Sequence, residues 1–496
     1  MTVKATTALS WIDEHRDALI AMADDIWGYA ELALHEERSA ARLAEALRAE
    51  GFKVTTGTVG MPTAFVAEWR HGGAGRHGES GRRGGAGAGK GPVIGFLGEY
   101  DALGGVSQKV SPVQEPVVEG GAGHGCGHNL LGVGALGAAV ALARELAARK
   151  LPGTVRYYGC PAEENLSGKA FMARDGVFDD CDACLTWHPG ATNRVSTNSS
   201  LANNACNITF RGQSAHAAGN PFEGRSALDA VQLMNMGVEF LREHMPPKAR
   251  VHYVITHGGD QPNVVPASAK VWYLVRAPER AQVDELYQRV LDCAEGAAKM
   301  TGTRFEVELL KAIWNTLNNR TLEDVLDAAM RRVGPPAFTA ADLEFARRIT
   351  ESFRPDQKET YLSRQELSPE DLKTLRSQTL NDTIVARPAV LKEPSGSTDV
   401  GDVSWCAPTA QFGTACLALG TPGHSWQYAA QSGMDIGHAG MLVAAKVLAE
   451  AGFELVTNPD TLAKARAEFL ELTGGRKYRS AMPPGQKPAF HQFADE

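Results

Sequence analysis

From residue 204 onward the apolar rhythm changes, and this change restricts the fold more than any other feature of the chain. Residues 206–210, 251–256, 269–277 and 303–310 form short apolar, β-prone runs, and helical spacing fills 224–243 and 280–300. The resulting order is the split βαββαβ unit of a small two-layer domain. On both sides of it strands alternate with helices, so the chain is expected to be α/β. A larger, discontinuous domain over 1–203 and 316–496 would have a mixed central sheet flanked by helices, with an inserted α+β domain over 204–315.

Within the larger domain, apolar spacing over residues 9–50 predicts a two-helix opening that stops at Gly51. Residues 71–91 are mostly Gly with Arg and His and read as a hairpin excursion between two apolar runs, since such sequence cannot build a core. Strands are expected at 93–97, 155–158 and 183–187, with helices at 129–149 and 168–175 between them. After a helix at 320–334, the charged stretch 335–393 reads as a helical insertion and surface excursion. Residues 396–455 would close the domain with a helix at 437–451, followed by a helix and polar tail over 456–496.

Composition excludes several classes of function. Fifty Lys and Arg against fifty-eight Asp and Glu give a net charge of -8, which does not favour nucleic acid. The first residues lack a secretory pattern and no apolar run reaches membrane-spanning length, so a cytoplasmic location with no membrane partner is expected. Eight cysteines in 496 residues are too sparse for a disulfide framework. Cys181 and Cys184 form a Cys-x-x-Cys pair without a second pair at zinc-ribbon spacing.

Four local features carry chemistry. Gly123-His124-Gly125-Cys126-Gly127-His128-Asn129 is a tight turn before a helix, presenting a thiol and imidazoles that can converge on one ion. Pro161-Ala162-Glu163-Glu164-Asn165 follows a strand, so one carboxylate can bind metal while its neighbour moves a proton. His188 ends an apolar run, and His424 lies on a Gly/Pro loop. Each alone also fits a structural role, as an incidental helix start, an exposed acidic turn or a satisfied histidine. Their force is collective, because all four fall at strand ends of the same domain.

These motifs, with Gly98-Glu99-Tyr100-Asp101-Ala102-Leu103, the run 212–230 and the run 397–405, resemble the aminoacylase/carboxypeptidase family of di-metal amidohydrolases. Within it the chain resembles the aminobenzoyl-glutamate utilization branch. The resemblance implies a catalytic domain holding two divalent metal ions, zinc or manganese, and a lid domain that also forms a dimer contact. By position it implies Cys126 as bridging ligand, His128, Glu164, His188 and His424 as the other ligands, and Glu163 as general base. It further implies that the lid's His216 stabilises the oxyanion and that Asn263 and Arg276 meet a substrate carboxylate. The expected reaction is hydrolysis of the amide of a small N-acyl amino acid by a homodimer, or by a pairing with a related chain.

Three rival readings compete with this one. A dipeptidase or carboxypeptidase would use the same machinery. A non-catalytic metal-binding scaffold would have no need of a free carboxylate at 163 beside a ligand. Gly132-x-Gly134-x-x-Gly137 matches a dinucleotide fingerprint literally, but it lies inside the predicted helix rather than after a strand. Close helix packing explains these glycines better.

Overall fold

The computed structural model describes residues 4–72, 91–388 and 396–493. In chain order the strands are β1 (Lys53–Thr56), β2 (Phe65–His71), β3 (Val93–Glu99), β4 (Gly153–Cys160), β5 (Ala183–Gly190), β6 (Arg194–Ser196), β7 (Ala202–Arg211), β8 (Arg250–His257), β9 (Ser268–Ala277), β10 (Arg304–Ile313) and β11 (Thr409–Ala415). They form a seven-stranded sheet in the order β1-β2-β4-β3-β5-β11-β6 and a four-stranded sheet in the order β10-β7-β9-β8. In the larger sheet β4, β3, β5 and β11 run parallel, while β1–β2, β2–β4 and β11–β6 are antiparallel. The fold is therefore α/β with a mixed central sheet and a second, smaller α+β unit.

Side chains alternate along the buried central strands to build two cores. Phe96 and Tyr157 point into a layer with the helices Arg16–Tyr29, His128–Arg149 and Asp435–Thr457. Their neighbours Leu97 and Tyr158 point the other way, toward Phe171 and Phe178. The helix His128–Arg149 is long and apolar enough to cross a bilayer, but it is 89% buried within the protein and serves as a core helix. Its glycines permit that fit, since a Cβ on Gly132 would stand 2.6 Å from the Glu99 carbonyl and one on Gly134 would stand 2.8 Å from Trp187. Cys181 and Cys184 are buried thiols in contact at 3.4 Å in the other core.

Several expectations need correction. The opening is three helices, Thr6–Glu14, Arg16–Tyr29 and Glu37–Ala49, with a break at His15 that leaves the apolar spacing nearly in phase. Most of the Gly-rich excursion, residues 73–90, lies outside the described residues. The strands flanking it do not form a hairpin, because β4 lies between β2 and β3. The stretch after residue 335 is more than a surface excursion. It contains the helices Ala340–Thr350, Gln357–Ser363 and Pro369–Ser377; Ala346 and Ile349 of the first, with Leu380 beyond the third, form a small core with Ala418, Ala430 and Ile436, while Leu362 and Leu375 of the other two join the main core. There Gln357 donates to the Gly420 carbonyl at 2.7 Å, which fixes the loop leading to His424.

Candidate active site

Parallel strands end in loops on one edge of a sheet, and that edge collects the polar groups here. Glu99 ends β3 and Asp101 follows it, Glu163 and Glu164 follow β4, His188 lies near the end of β5, and His424 lies on the loop after β11. Cys126 and His128 enter from the turn that starts the helix His128–Arg149, where Gly127 takes the left-handed conformation that the turn requires.

The turn after β4 explains how adjacent glutamates serve one site. Ala162 has φ 60° and its N–H donates to the buried Glu36 carboxylate at 2.8 Å, while the Leu166 N–H donates to the Ala162 carbonyl at 3.1 Å. This coil turns both Glu163 and Glu164 inward. The His424 N–H donates to the Gly125 carbonyl at 3.1 Å, tying the two ligand loops together.

Donor atoms cluster in three overlapping groups, each with its ligand atoms within 4.8 Å of one another: Cys126, His128 and His188; Cys126, Glu164 and His424; Glu99, His128 and Glu163. The Cys126 Sγ to His188 Nε2 distance is 3.4 Å, and His424 Nε2 is 3.4 Å from Glu164 Oε2. Hydrogen bonds set the tautomers. In the neutral form that metal binding requires, Nδ1 of His128 donates to Asp101 at 2.8 Å and Nδ1 of His188 to the Pro189 carbonyl at 2.8 Å, which leaves both Nε2 lone pairs facing the cluster.

The electrostatics fit divalent cations. Burial pushes the Glu164 carboxyl up to about 8, and burial with the nearby Glu99 charge raises Glu163 as well. Burial, then the Glu164 charge, pushes the Cys126 thiol up. Burial and the neighbouring His128 lower His188. The buried His128 Nε2 and Glu164 Oε1 lack hydrogen-bond partners although they stand 4.0 Å apart. Crowded acids and unpartnered ligand atoms of this kind are the surroundings that a bound cation stabilises.

The lid residues form a separate group. His216 bridges to Val264, is exposed, and accepts at Nδ1 from the N–H groups of Ala218 and Gly219 at 3.2 and 3.0 Å. The Asn263 carbonyl accepts from Ala217 at 3.0 Å, so these two residues share one exposed corner of the lid, and their bonds stay within it. Arg276 lies on β9, half-buried, with Nε unpartnered.

The family model for a peptidase dimerisation domain, M20_dimer, matches residues 203–301. Across 485 residues the chain is 42% identical to one of the two kinds of subunit of the p-aminobenzoyl-glutamate hydrolase of Escherichia coli, covering 96% of this chain and 97% of that protein. The chain belongs to the M20 family of metal-dependent amidohydrolases. Mouse Xaa-Arg dipeptidase is 29% identical over 92% of this chain and 90% of its own length. The M20 fold recurs in the crystal structure of an aminobenzoyl-glutamate utilization protein from Klebsiella pneumoniae, with TM-score 0.58 and 20% identity, covering 90% of this chain and 97% of that one. It recurs again in a dinuclear metal binding M20 peptidase from Bacillus subtilis, with TM-score 0.53 and 18% identity, covering 90% and 99%.

Beyond the residues expected from sequence, this M20 site contains groups that sequence reasoning passed over. Asp101 orients His128 and also accepts from the Glu164 N–H at 2.9 Å. Glu99 Oε2 stands 3.2 Å from His128 Nε2. The fully buried Lys169 ties Glu99 at 2.7 Å to Asp399 at 2.6 Å. The position of Glu99 and Asp101 at a strand end was the available signal. Removing one partner from a buried ion cluster leaves its counter-charges unpaired. Lys169→Met is therefore expected to cost about 3–5 kcal/mol of stability. An unchanged denaturation midpoint would show that the cluster contributes nothing to holding the site.

Proposed function

We propose that this M20 enzyme hydrolyses the amide of a cytoplasmic N-acyl amino acid of the aminobenzoyl-glutamate kind, using two zinc or manganese ions. The observation that carries the reading is a pair of adjacent glutamates that face different partners: Glu164 groups with Cys126 and His424, while Glu163 groups with Glu99 and His128, beside the set Cys126, His128, Glu164, His188 and His424. These five residues would hold the metals. When bound, divalent cations polarise the scissile carbonyl and acidify water. Glu163 accepts the proton lost by water as its oxygen bonds to the carbonyl carbon, then returns it to the amide nitrogen as the C–N bond breaks. The products are a carboxylic acid and an amino acid.

His216 accepts at Nδ1, so its proton sits on Nε2, the tautomer needed to donate to an oxyanion. Such a donor contributes roughly 2.7–4 kcal/mol in other acyl-transfer sites. The exposed corner carrying His216 and Asn263 would complete a neighbouring subunit's site in a homodimer, or in an assembly with a related chain. The dimerisation-domain match supports this, as does a 30% identity to the companion subunit of the same Escherichia coli hydrolase, covering 45% of this chain and 53% of that one. Arg276 would bind the free carboxylate of the amino acid, for which a planar guanidinium is suited.

The test is hydrolysis by metal-reconstituted enzyme of N-acyl amino acids, their carboxamides and dipeptides. N-acyl amino acids should be cleaved, carboxamides poorly, and chelation should abolish turnover. Cleavage of dipeptides alone would replace this reading by a dipeptidase. Absence of any cleavage with full metal would favour a scaffold.

A further inference from the structure

The lid sheet has two unlike faces. Cys206, Ile208, Phe210, Val271, Tyr273 and Val275 pack under the lid helices, whereas Ala205, Trp272 and Leu274 join the core of the larger domain. The second face therefore looks toward the catalytic domain. Arg276 is on it, because it pairs with Asn203, two residues from Ala205. Lys311 is on it as well, because it stands opposite Ala205 across the β10–β7 ladder.

Lys311 is only 7% exposed, yet among the described residues it makes no hydrogen bond or ion pair. Burial lowers its pKa, Glu163, Asp399 and Glu164 oppose that fall, and Arg276 adds to it, so the ammonium lies in the electrostatic field of the catalytic acids. Those acids already have closer partners. Asp399 is paired with Lys169 at 2.6 Å, and Glu163 has His128 within 4.8 Å. Arg276 is also a desolvated cation without an ion pair among the described residues, its pKa lowered by burial. A sheet face that carries a buried lysine and a half-buried arginine, neither ion-paired among the described residues, is arranged for anions that arrive with a ligand.

We propose that Lys311 is a specificity-determining residue that binds the side-chain carboxylate of the substrate's amino acid, while Arg276 holds its α-carboxylate. The two positions are separated by one strand, roughly 10 Å across the sheet, so two long side chains can close on one dicarboxylic residue between them. This rests on the N-acyl amino acid reading above and adds to it a residue that distinguishes glutamate from glutamine.

The experiment compares the full-length, metal-loaded enzyme with Lys311→Met and Lys311→Arg on N-acetylglutamate and N-acetylglutamine. Loss of a charge-assisted hydrogen bond should lower the glutamate-over-glutamine ratio of kcat/KM about tenfold to a hundredfold in Lys311→Met. Lys311→Arg should recover much of the ratio. A ratio that Lys311→Met leaves unchanged, whatever happens to the absolute rates, overturns the assignment. Wild-type enzyme that cleaves neither compound would instead sink the N-acyl amino acid reading. Calorimetric binding of the same two compounds still decides for Lys311 in that case: discrimination lost in Lys311→Met supports it, and identical preference in both proteins overturns it.

Discussion

Replacing Glu163 by Gln should lower kcat by about 10²- to 10⁴-fold, the usual contribution of a positioned general base, while metal content stays at the wild-type level. Gln has the same shape but cannot accept a proton. The turn that positions residue 163 is fixed elsewhere, by the left-handed Ala162 and its bond to Glu36, so the substitution should not disturb the ligands. Burial and the Glu99 charge raise the Glu163 pKa, which moves this carboxylate toward the neutral range where a base is most effective. Metal analysis and steady-state kinetics on the same preparation separate the outcomes. Full metal with full rate would remove Glu163 from the mechanism. Loss of both together would mean that it acts as a ligand, which its grouping with Glu99 and His128 makes a real alternative.

The sequence made some of this site readable because local pattern and tertiary position coincide. The Cys126 and His128 turn begins a long helix, and the Glu163 and Glu164 turn ends a buried strand, so periodicity alone placed them on one edge. The structure joins Cys126, His128, Glu164, His188 and His424 through overlapping groups that share Cys126, and leaves His216 and Asn263 on an exposed corner of the smaller unit. Other groups matter through contacts that no local pattern records. Lys169 meets Asp399 across 230 positions, and Glu36 holds Ala162 across 126. Lys311 reads from sequence as an ordinary strand lysine until its ladder partner Ala205 shows which face it occupies. The three-residue β6 and the largely exposed β1 are too short or too polar to give an alternating signal. The apparent hairpin at 71–91 failed because β4, which comes later in the chain, inserts between its arms.

Cys126→Ala and His128→Ala should instead lower metal occupancy and activity together, with partial rescue by excess metal. His128 is the more severe of the two. Each belongs to two of the donor groups, but the His128 ring is also locked by Asp101, so its loss removes a ligand and leaves the buried Asp101 carboxylate without its imidazole partner. A decrease in metal affinity of at least about 100-fold is expected, since removal of an outer-shell partner alone reaches that range. Proton competition gives an independent check. Burial holds Glu164 at about 8 and raises Cys126, while the Cys126 and Asp101 charges outweigh burial and raise His128, so protons must leave these groups when metal binds. Affinity should therefore rise with pH through about 8 in the wild type, and metal binding should release protons measurable by calorimetry in buffers of different ionisation enthalpy. His128→Ala should release fewer. A Cys126→Ala protein with a full metal complement, normal rate and unaltered proton release would exclude the thiol from the centre, leaving the imidazoles and Glu164 to hold the metal.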